Sequence, residues 1–287
     1  MTPMKKLWSA WFDKPKASRY RNLAEPIADY FPEIGLLSDA GVVRSSNQDH
    51  IGCIRFANDR NLVAVIADGM GGHQSGEIAS RIAVEVFQKN FSGYLRNADC
   101  RQALLKCFAD ANAEVFRSGQ ALAENHGMGT TLVALAVIDG LAYYGNTGDS
   151  RLYLCRSGQV RQLSQDHTVV AELLNAGLIS AESAANHPDR NVITCAIGTR
   201  QTTKADIADV ALPIEIGDCF VLCSDGLYDL VGDGEIAEIS AARPAQEACK
   251  VLVDLANQRG GYDNISVAVV KITEQKTQAA NSPITRV

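Results

Sequence analysis

The stretch TTLVALAVIDGLAYYGNTGDSRLYLCRSGQVRQLS, residues 130–164, decides the architecture. Apolar runs meet at Asp139-Gly140 and again at Ser157-Gly158, and such pairs supply the positive φ angles that two-residue hairpin turns require. Strands joined this way run antiparallel. Upstream, NLVAVIADG (61–69) is a short buried strand entering glycines, and downstream CFVLCSD (219–225) and NISVAVVKI (264–272) are buried strands beside acidic loops. Helical periods fall between these strands in pairs. After Gly76, Ile78, Ile82 and Val86 share a face; Leu104, Phe108, Ala111 and Val115 step by three and four. HTVVAELLNAGLIS (167–180) is a helix ending near Gly177, and two late helices are expected at about 234–240 and 244–257. Hairpin-linked strands with paired helices exclude the regular strand–helix alternation of a doubly wound nucleotide fold. Neither a G-x-G-x-x-G nor a G-x-x-x-x-G-K-S/T motif is present. Two packed sheets covered by helices satisfy the pattern, an α+β class.

Composition sets the outer limits. The 287 residues suffice for one core, and 46% hydrophobic with 21% charged residues excludes wholesale disorder or a coiled coil. The net charge of −6 offers no general attraction for nucleic acid or anionic lipid. No run approaches the roughly 18 apolar residues of a membrane span, and the basic, aromatic start lacks the apolar run and cleavage site of a secretory signal, so a cytoplasmic protein is expected. The eight cysteines are scattered, and Cys219 and Cys223, four residues apart on one strand, share a face suited to packing. Residues 1–34 form an N-terminal extension holding Trp8, Trp11 and Phe12 among Lys5, Lys6, Lys14 and Lys16, which packs on the domain or touches a partner or membrane surface. Residues 35–272 are the domain, and 273–287 a flexible polar tail.

The chemistry lies in separated acidic clusters: RSSNQD from Arg44, ADGMGGHQSGE from Ala67, GDSR from Gly148, SDGLYD from Ser224 and the Asp263-Asn264 pair. One Asp-Gly pair says only that the chain turns. Together, Asp68 after LVAVIA, Asp225 after CFVLCS and Asp263 before ISVAVV stand at the rims of buried strands. Carboxylates gathered there repel one another, and a hard divalent cation such as magnesium or manganese removes that cost. Scattered turn aspartates and another catalytic use remain the competing readings of these residues.

The motifs resemble the bacterial branch of the metal-dependent PP2C-type (PPM) serine/threonine protein phosphatases. The resemblance runs through GxxRxxNQD at Gly41, DGMGGHxxGE at Asp68, GMGTT at Gly127, GNTGDSRLYL at Gly145, LSQDH at Leu163, RNVITCAIG at Arg190, SDGLYD at Ser224 and GYDNISV at Gly261. It covers about residues 35–272 and implies a four-layer α-β-β-α sandwich with two central, mainly antiparallel sheets. It implies two Mn2+ or Mg2+ ions with a weaker third. By this resemblance Asp68 would bridge two ions, Asp225 and Asp263 would hold the first, the Gly69 carbonyl would serve the second, Asp149 with Asp225 the third, and Asp49 would act through water. The usual NED is here Asn47, Gln48, Asp49, and Gln48 accepts a hydrogen bond but brings no charge. The implied activity is hydrolysis of phosphoserine and phosphothreonine by metal-activated water, without a phosphoenzyme.

Arg44 is the expected phosphate clamp, since a planar guanidinium pairs two phosphoryl oxygens; the competing role is an ion pair with Asp49 or its own loop. His73 either buttresses the glycine loop or donates a proton to the leaving group. Ser224 lacks a nucleophile elbow, and the C-x5-R match from Cys155 to Arg161 spans the Ser157-Gly158 hairpin and so offers no phosphate-binding loop for a cysteine mechanism. Residues 166–196 resemble the family's variable flap beside the active site. Expected partners are phosphorylated proteins, among them a serine/threonine kinase and its targets, met by a monomer. The alternative is a pseudophosphatase or phosphoprotein-binding module.

Overall fold

The structure is a computed structural model describing residues 27, 29–71, 75–121 and 125–274. In chain order, strands β1 (Tyr30–Asp39), β2 (Asp49–Arg55) and β3 (Leu62–Met70) precede helices α1 (Ser75–Leu95) and α2 (Cys100–Ala121). Then come β4 (Gly129–Thr130), β5 (Leu132–Ile138), β6 (Leu141–Thr147), β7 (Arg151–Arg156) and β8 (Gln159–Gln162). Helices α3 (Val169–Asn175) and α4 (Ala181–Ala185) lead to β9 (Asp206–Ile207), β10 (Leu212–Pro213) and β11 (Cys219–Cys223). Helices α5 (Asp225–Tyr228), α6 (Asp233–Ala242) and α7 (Ala245–Gln258) precede β12 (Ile265–Glu274).

Both expected hairpins form, β5–β6 and β7–β8, with Asp139 and Ser157 at φ 50° and 52° ahead of their glycines. One sheet has the order β1-β12-β11-β7-β8, and the other β10-β6-β5-β3-β2, with β4 on β3 and β9 on β6. The pairings are antiparallel. The continuous apolar runs are explained by the pleat, which sends successive side chains to opposite faces. In β3, Leu62, Ala64 and Ile66 enter the interior between the sheets, while Val63, Val65 and Ala67 meet α1 and α2. In β11, Phe220 and Leu222 enter that same interior, while Cys219, Val221 and Cys223 pack outward with α6 and α7. Strands buried on both faces between helical layers make the four-layer α-β-β-α sandwich.

Three sequence expectations shift. The fully buried stripe of α1 is Ala79, Ala83, Phe87 and Phe91; Ile78, Ile82 and Val86 are only partly buried beside it. Alanines let the helix come close to the sheet, and Phe87 meets Phe91 and the Phe108 ring of α2, each at 5.8 Å between centroids. The sandwich also takes in residues 30–34 and 273–274, because β1 pairs with all ten residues of β12. Tyr30 is buried, donates to Asn61 Oδ1 at 3.2 Å and accepts from the Gly140 N–H at 3.0 Å. The aromatic and lysine cluster of residues 5–16 and the tail beyond 274 lie outside the described residues. All eight cysteines are free thiols, and Cys219 and Cys223 pack in the core. Among the described residues no helix is long and apolar enough to cross a membrane.

Candidate metal centre

The acidic residues gather where strands of both sheets end on one side of the sandwich. Asp49 opens β2 and is the register partner of Asp68 near the end of β3. Asp149 follows β6, Asp225 follows β11 by one residue, and Asp263 lies just before β12. Five carboxylates from distant parts of the chain therefore meet at one rim. Burial is the first cause of the perturbation at Asp68, whose carboxyl is raised well above the usual range, and the charges of Asp49, Asp225, Asp149 and Asp263 push it further. Burial raises Asp225 to about 8, helped by Asp149, Asp263 and Asp49. Burial raises Asp149 to about 7, with Asp166 adding to it. Asp49 is pushed up to about 6 by burial, and hydrogen bonds from Ser224 and Ser266 hold it from going higher.

This is a site short of positive charge. The buried Oδ1 atoms of Asp225 and Asp49 have no hydrogen-bond partner, and buried polar atoms ordinarily find one. Oxygen-only donors with orphaned lone pairs and mutual repulsion fit a hard divalent cation. Among the described residues, no three acidic, histidine or cysteine side chains already converge on a single point. Several are drawn instead to protein donors: Asp49 Oδ2 accepts from Ser224 Oγ at 2.7 Å, and Asp263 Oδ2 from Arg44 Nη2 at 2.8 Å.

The side chains that hold this rim explain several motif residues. The Thr131 hydroxyl accepts from the Asp68 N–H at 2.9 Å, the Thr131 N–H donates to the Asp68 carbonyl at 2.8 Å, and Thr130 Oγ1 donates to that same carbonyl. Ser224, fully buried, also accepts from the Ser266 N–H at 3.0 Å. It braces Asp49, which agrees with rejecting it as a nucleophile. The Gly69 N–H donates to the Gln48 carbonyl at 3.1 Å, and a Cβ on Gly69 would lie 2.1 Å from the Gly76 carbonyl oxygen. Glycine is thus required where α1 starts against the end of β3. His73 lies outside the described residues.

Arg44 pairs with Asp263, not with Asp49, and its Nε donates to the Tyr262 carbonyl at 3.4 Å. With a side chain 52% exposed, it stands at the mouth of the centre. The segment 166–196 is tied to the rim at several points. Asp166 pairs with Arg151 at 2.7 Å, whose guanidinium lies 3.7 Å from the centroid of the Tyr228 ring. The Tyr228 hydroxyl donates to the Asp149 carbonyl at 3.2 Å. Buried His167 accepts the Gly148 N–H on Nδ1 at 3.1 Å, which assigns its proton to Nε2, 3.1 Å from Asp206 Oδ2. Backbone bonds from Val169 to Val192 and from Thr194 to His167 close the base of the segment, and Arg190 reaches Asp229 at 3.3 Å. Sequence reasoning missed Thr131, Tyr228 and Arg151 as positioning groups. The only signal was their place inside the motifs GMGTT, SDGLYD and GDSR.

A family profile described as protein phosphatase 2C matches residues 42–260. The protein phosphatase PhpP of Streptococcus pneumoniae is 38% identical over 251 residues, covering 86% of this chain and 100% of that protein. Among solved structures, the serine/threonine phosphatase of S. agalactiae aligns with a TM-score of 0.74 at 34% identity, over 84% of this chain and 99% of that one. The catalytic domain of the phosphatase PstP, described in complex with two manganese ions, aligns with a TM-score of 0.72 at 29% identity, over 85% of this chain and 100% of that one. With that profile matching most of its length and a curated phosphatase 38% identical over 86% of it, the chain belongs to the protein phosphatase 2C family.

Proposed function

We propose that the protein is a metal-dependent serine/threonine protein phosphatase that hydrolyses phosphoserine and phosphothreonine monoesters by direct attack of water. The observation that carries this is the electron-rich rim, five mutually repelling carboxylates with orphaned oxygens on Asp225 and Asp49. Asp68, Asp225, Asp263 and the Gly69 carbonyl would hold two Mn2+ or Mg2+ ions, and Asp149 with Asp225 a weaker third. When bound, the ions supply Lewis-acid charge to the phosphoryl group and lower the pKa of water.

The protein's own groups do the rest. Thr130, Thr131 and Ser150 fix the backbone and hydroxyl network behind Asp68, Thr131 Oγ1 meeting Ser150 Oγ at 2.7 Å. Ser224 orients Asp49. Arg44, at the mouth, exchanges Asp263 for two phosphoryl oxygens, and its fixed fork aligns the ester for in-line displacement. The reaction breaks the P–O bond to serine or threonine, and the proton released by water balances the leaving alkoxide. Ser224, the serine beside Asp225, is engaged in bracing Asp49, and we assign no phosphoenzyme. Its partners are phosphorylated proteins, a kinase and its targets among them, met by a cytoplasmic monomer of which residues 30–274 are the catalytic unit.

The test is phosphate release from phosphoserine and phosphothreonine peptides with manganese, and again after exhaustive chelation checked by elemental analysis. Activity should vanish on chelation while the far-UV spectrum persists, because the core contains no structural metal in this assignment. Unchanged turnover in metal-free protein would refute it.

A further inference from the structure

Seven large apolar side chains are exposed among the described residues, and four stand within two residues of Arg44, Asp263 or Arg190. They are Val42 (65% exposed), Val43 (67%), Tyr262 (42%) and Val192 (47%). Scattered single exposures need no explanation, but a grouping around one mouth does.

The loops that carry them are stiff. The Val42 N–H donates to the Gly261 carbonyl at 2.8 Å, and Arg44 Nε reaches the Tyr262 carbonyl, so residues 41–44 and 261–263 lie zipped together. A side chain at Gly41 would break this zip, since its Cβ would sit 2.2 Å from the Asp263 carbonyl oxygen. Beneath them, buried Asn264 donates to the carbonyls of Ala40 at 3.0 Å and Ser46 at 2.8 Å, and accepts from the Gln48 N–H at 2.8 Å. One amide thus clamps the 40–48 loop at three points. On the far side, the Tyr262 phenol meets the Arg190 guanidinium, which also pairs with Asp229, and Val192 follows two residues later. The valines are therefore held out into solvent by a rigid ledge, which is costly unless something covers them in use.

We propose that Val42, Val43, Tyr262 and Val192 form an apolar rim that takes aliphatic side chains flanking the phosphorylated serine or threonine of a protein substrate. The inference rests on the phosphatase reading of the same centre and deepens it. A phosphoryl group seated against Arg44 places the neighbouring residues of its own peptide over this ledge, and burying an aliphatic group there returns the free energy its exposure cost. A small phosphomonoester has no such neighbours. The rim therefore separates apolar-flanked phosphosites from polar-flanked ones and leaves simple esters indifferent.

The full chain with Val42→Ser and Val43→Ser together provides the test, since both side chains are exposed and an unchanged melting temperature confirms the fold. Substrates are paired phosphothreonine peptides alike except for leucine or serine on either side, with p-nitrophenyl phosphate as the small ester. The unaltered protein should favour the leucine-flanked peptide about fivefold to thirtyfold in kcat/KM, mostly through KM. The double variant should reduce that preference to about twofold, with turnover of p-nitrophenyl phosphate unchanged in both. Hydrolysis of the small ester without any flank preference, or a preference that survives the double substitution, overturns the rim and leaves the phosphatase reading standing. A substitution that alters only vesicle co-sedimentation or oligomeric mass overturns it in favour of a membrane or a second copy. No phosphate release from any substrate overturns both.

Discussion

Replacing Asp225 by asparagine should strengthen the metal-free protein while destroying its activity. Burial and the surrounding carboxylates raise Asp225 from 3.8 to about 8. A group bound to its proton more tightly in the folded than in the unfolded chain contributes stability below the unfolded pKa and loses it as pH rises through the folded pKa. At pH 7.5 the unfolded chain has released this proton, and the folded state either retains it or carries an unfavourable charge. Roughly four units at about 1.4 kcal/mol each set a ceiling of about 6 kcal/mol on that penalty. The repulsion is shared with Asp68, Asp149 and Asp263, and the amide leaves its own buried polar atoms to satisfy. A gain of about 2–3 kcal/mol for Asp225→Asn is expected from these opposing effects.

Urea unfolding in the presence of a chelator, at pH 5 and pH 8, reads this directly. The original protein should lose stability across that window, because Asp49, Asp149 and Asp225 are raised to about 6, 7 and 8. The variant should lose less of it. Manganese should reverse the order, stabilising the original protein by mass action and the variant far less. Turnover of a phosphopeptide by the variant should fall at least a hundredfold at any manganese concentration. A variant less stable than the original at pH 8 without metal, or equally stabilised by manganese, would show that these carboxylates do not repel one another at a shared cation site.

Arg44→Ala should lower kcat/KM on a phosphopeptide by the equivalent of about 2–5 kcal/mol while calorimetry shows manganese binding preserved; equal efficiency would remove the clamp. The lost Asp263 pair should cost almost no stability, because Arg44 is half-exposed. His167→Ala orphans the buried Gly148 N–H and should cost about 1–3 kcal/mol in urea unfolding, with His167→Asn recovering part of the loss. Equal losses for the two variants would mean that the Gly148 contact contributes nothing.

The sandwich was legible because its central strands are buried on both faces, which writes them as unbroken apolar runs, and because two hairpins announce themselves at Asp139 and Ser157. Strand β1 was not. It lies at the edge of its sheet, where Pro32 is tolerated opposite Ile272, and its residues are mostly half-buried, so it shows neither a continuous run nor clean alternation. The acidic residues were legible for a related reason. An aspartate placed directly after or before a buried strand must lie at a rim, and Asp68, Asp225 and Asp263 each do.

What binds that rim together was hidden by distance along the chain. Ser224 and Asp49 are 175 residues apart, and Gln48 and Asn264 are 216 apart. No local period records which serine will face which carboxylate, since that depends on a register joining β2 to β3 and on two sheets closing face to face. Local sequence therefore announces charged groups at strand ends, whereas the cost of bringing them together is set by tertiary packing. That division explains why the same residues read first as ordinary turns. Asp68 becomes chemically distinctive only when Asp49 is placed beside it and Asp225 and Asp263 arrive from the other sheet, and at that point a cation becomes the cheapest way to keep all of them ionised.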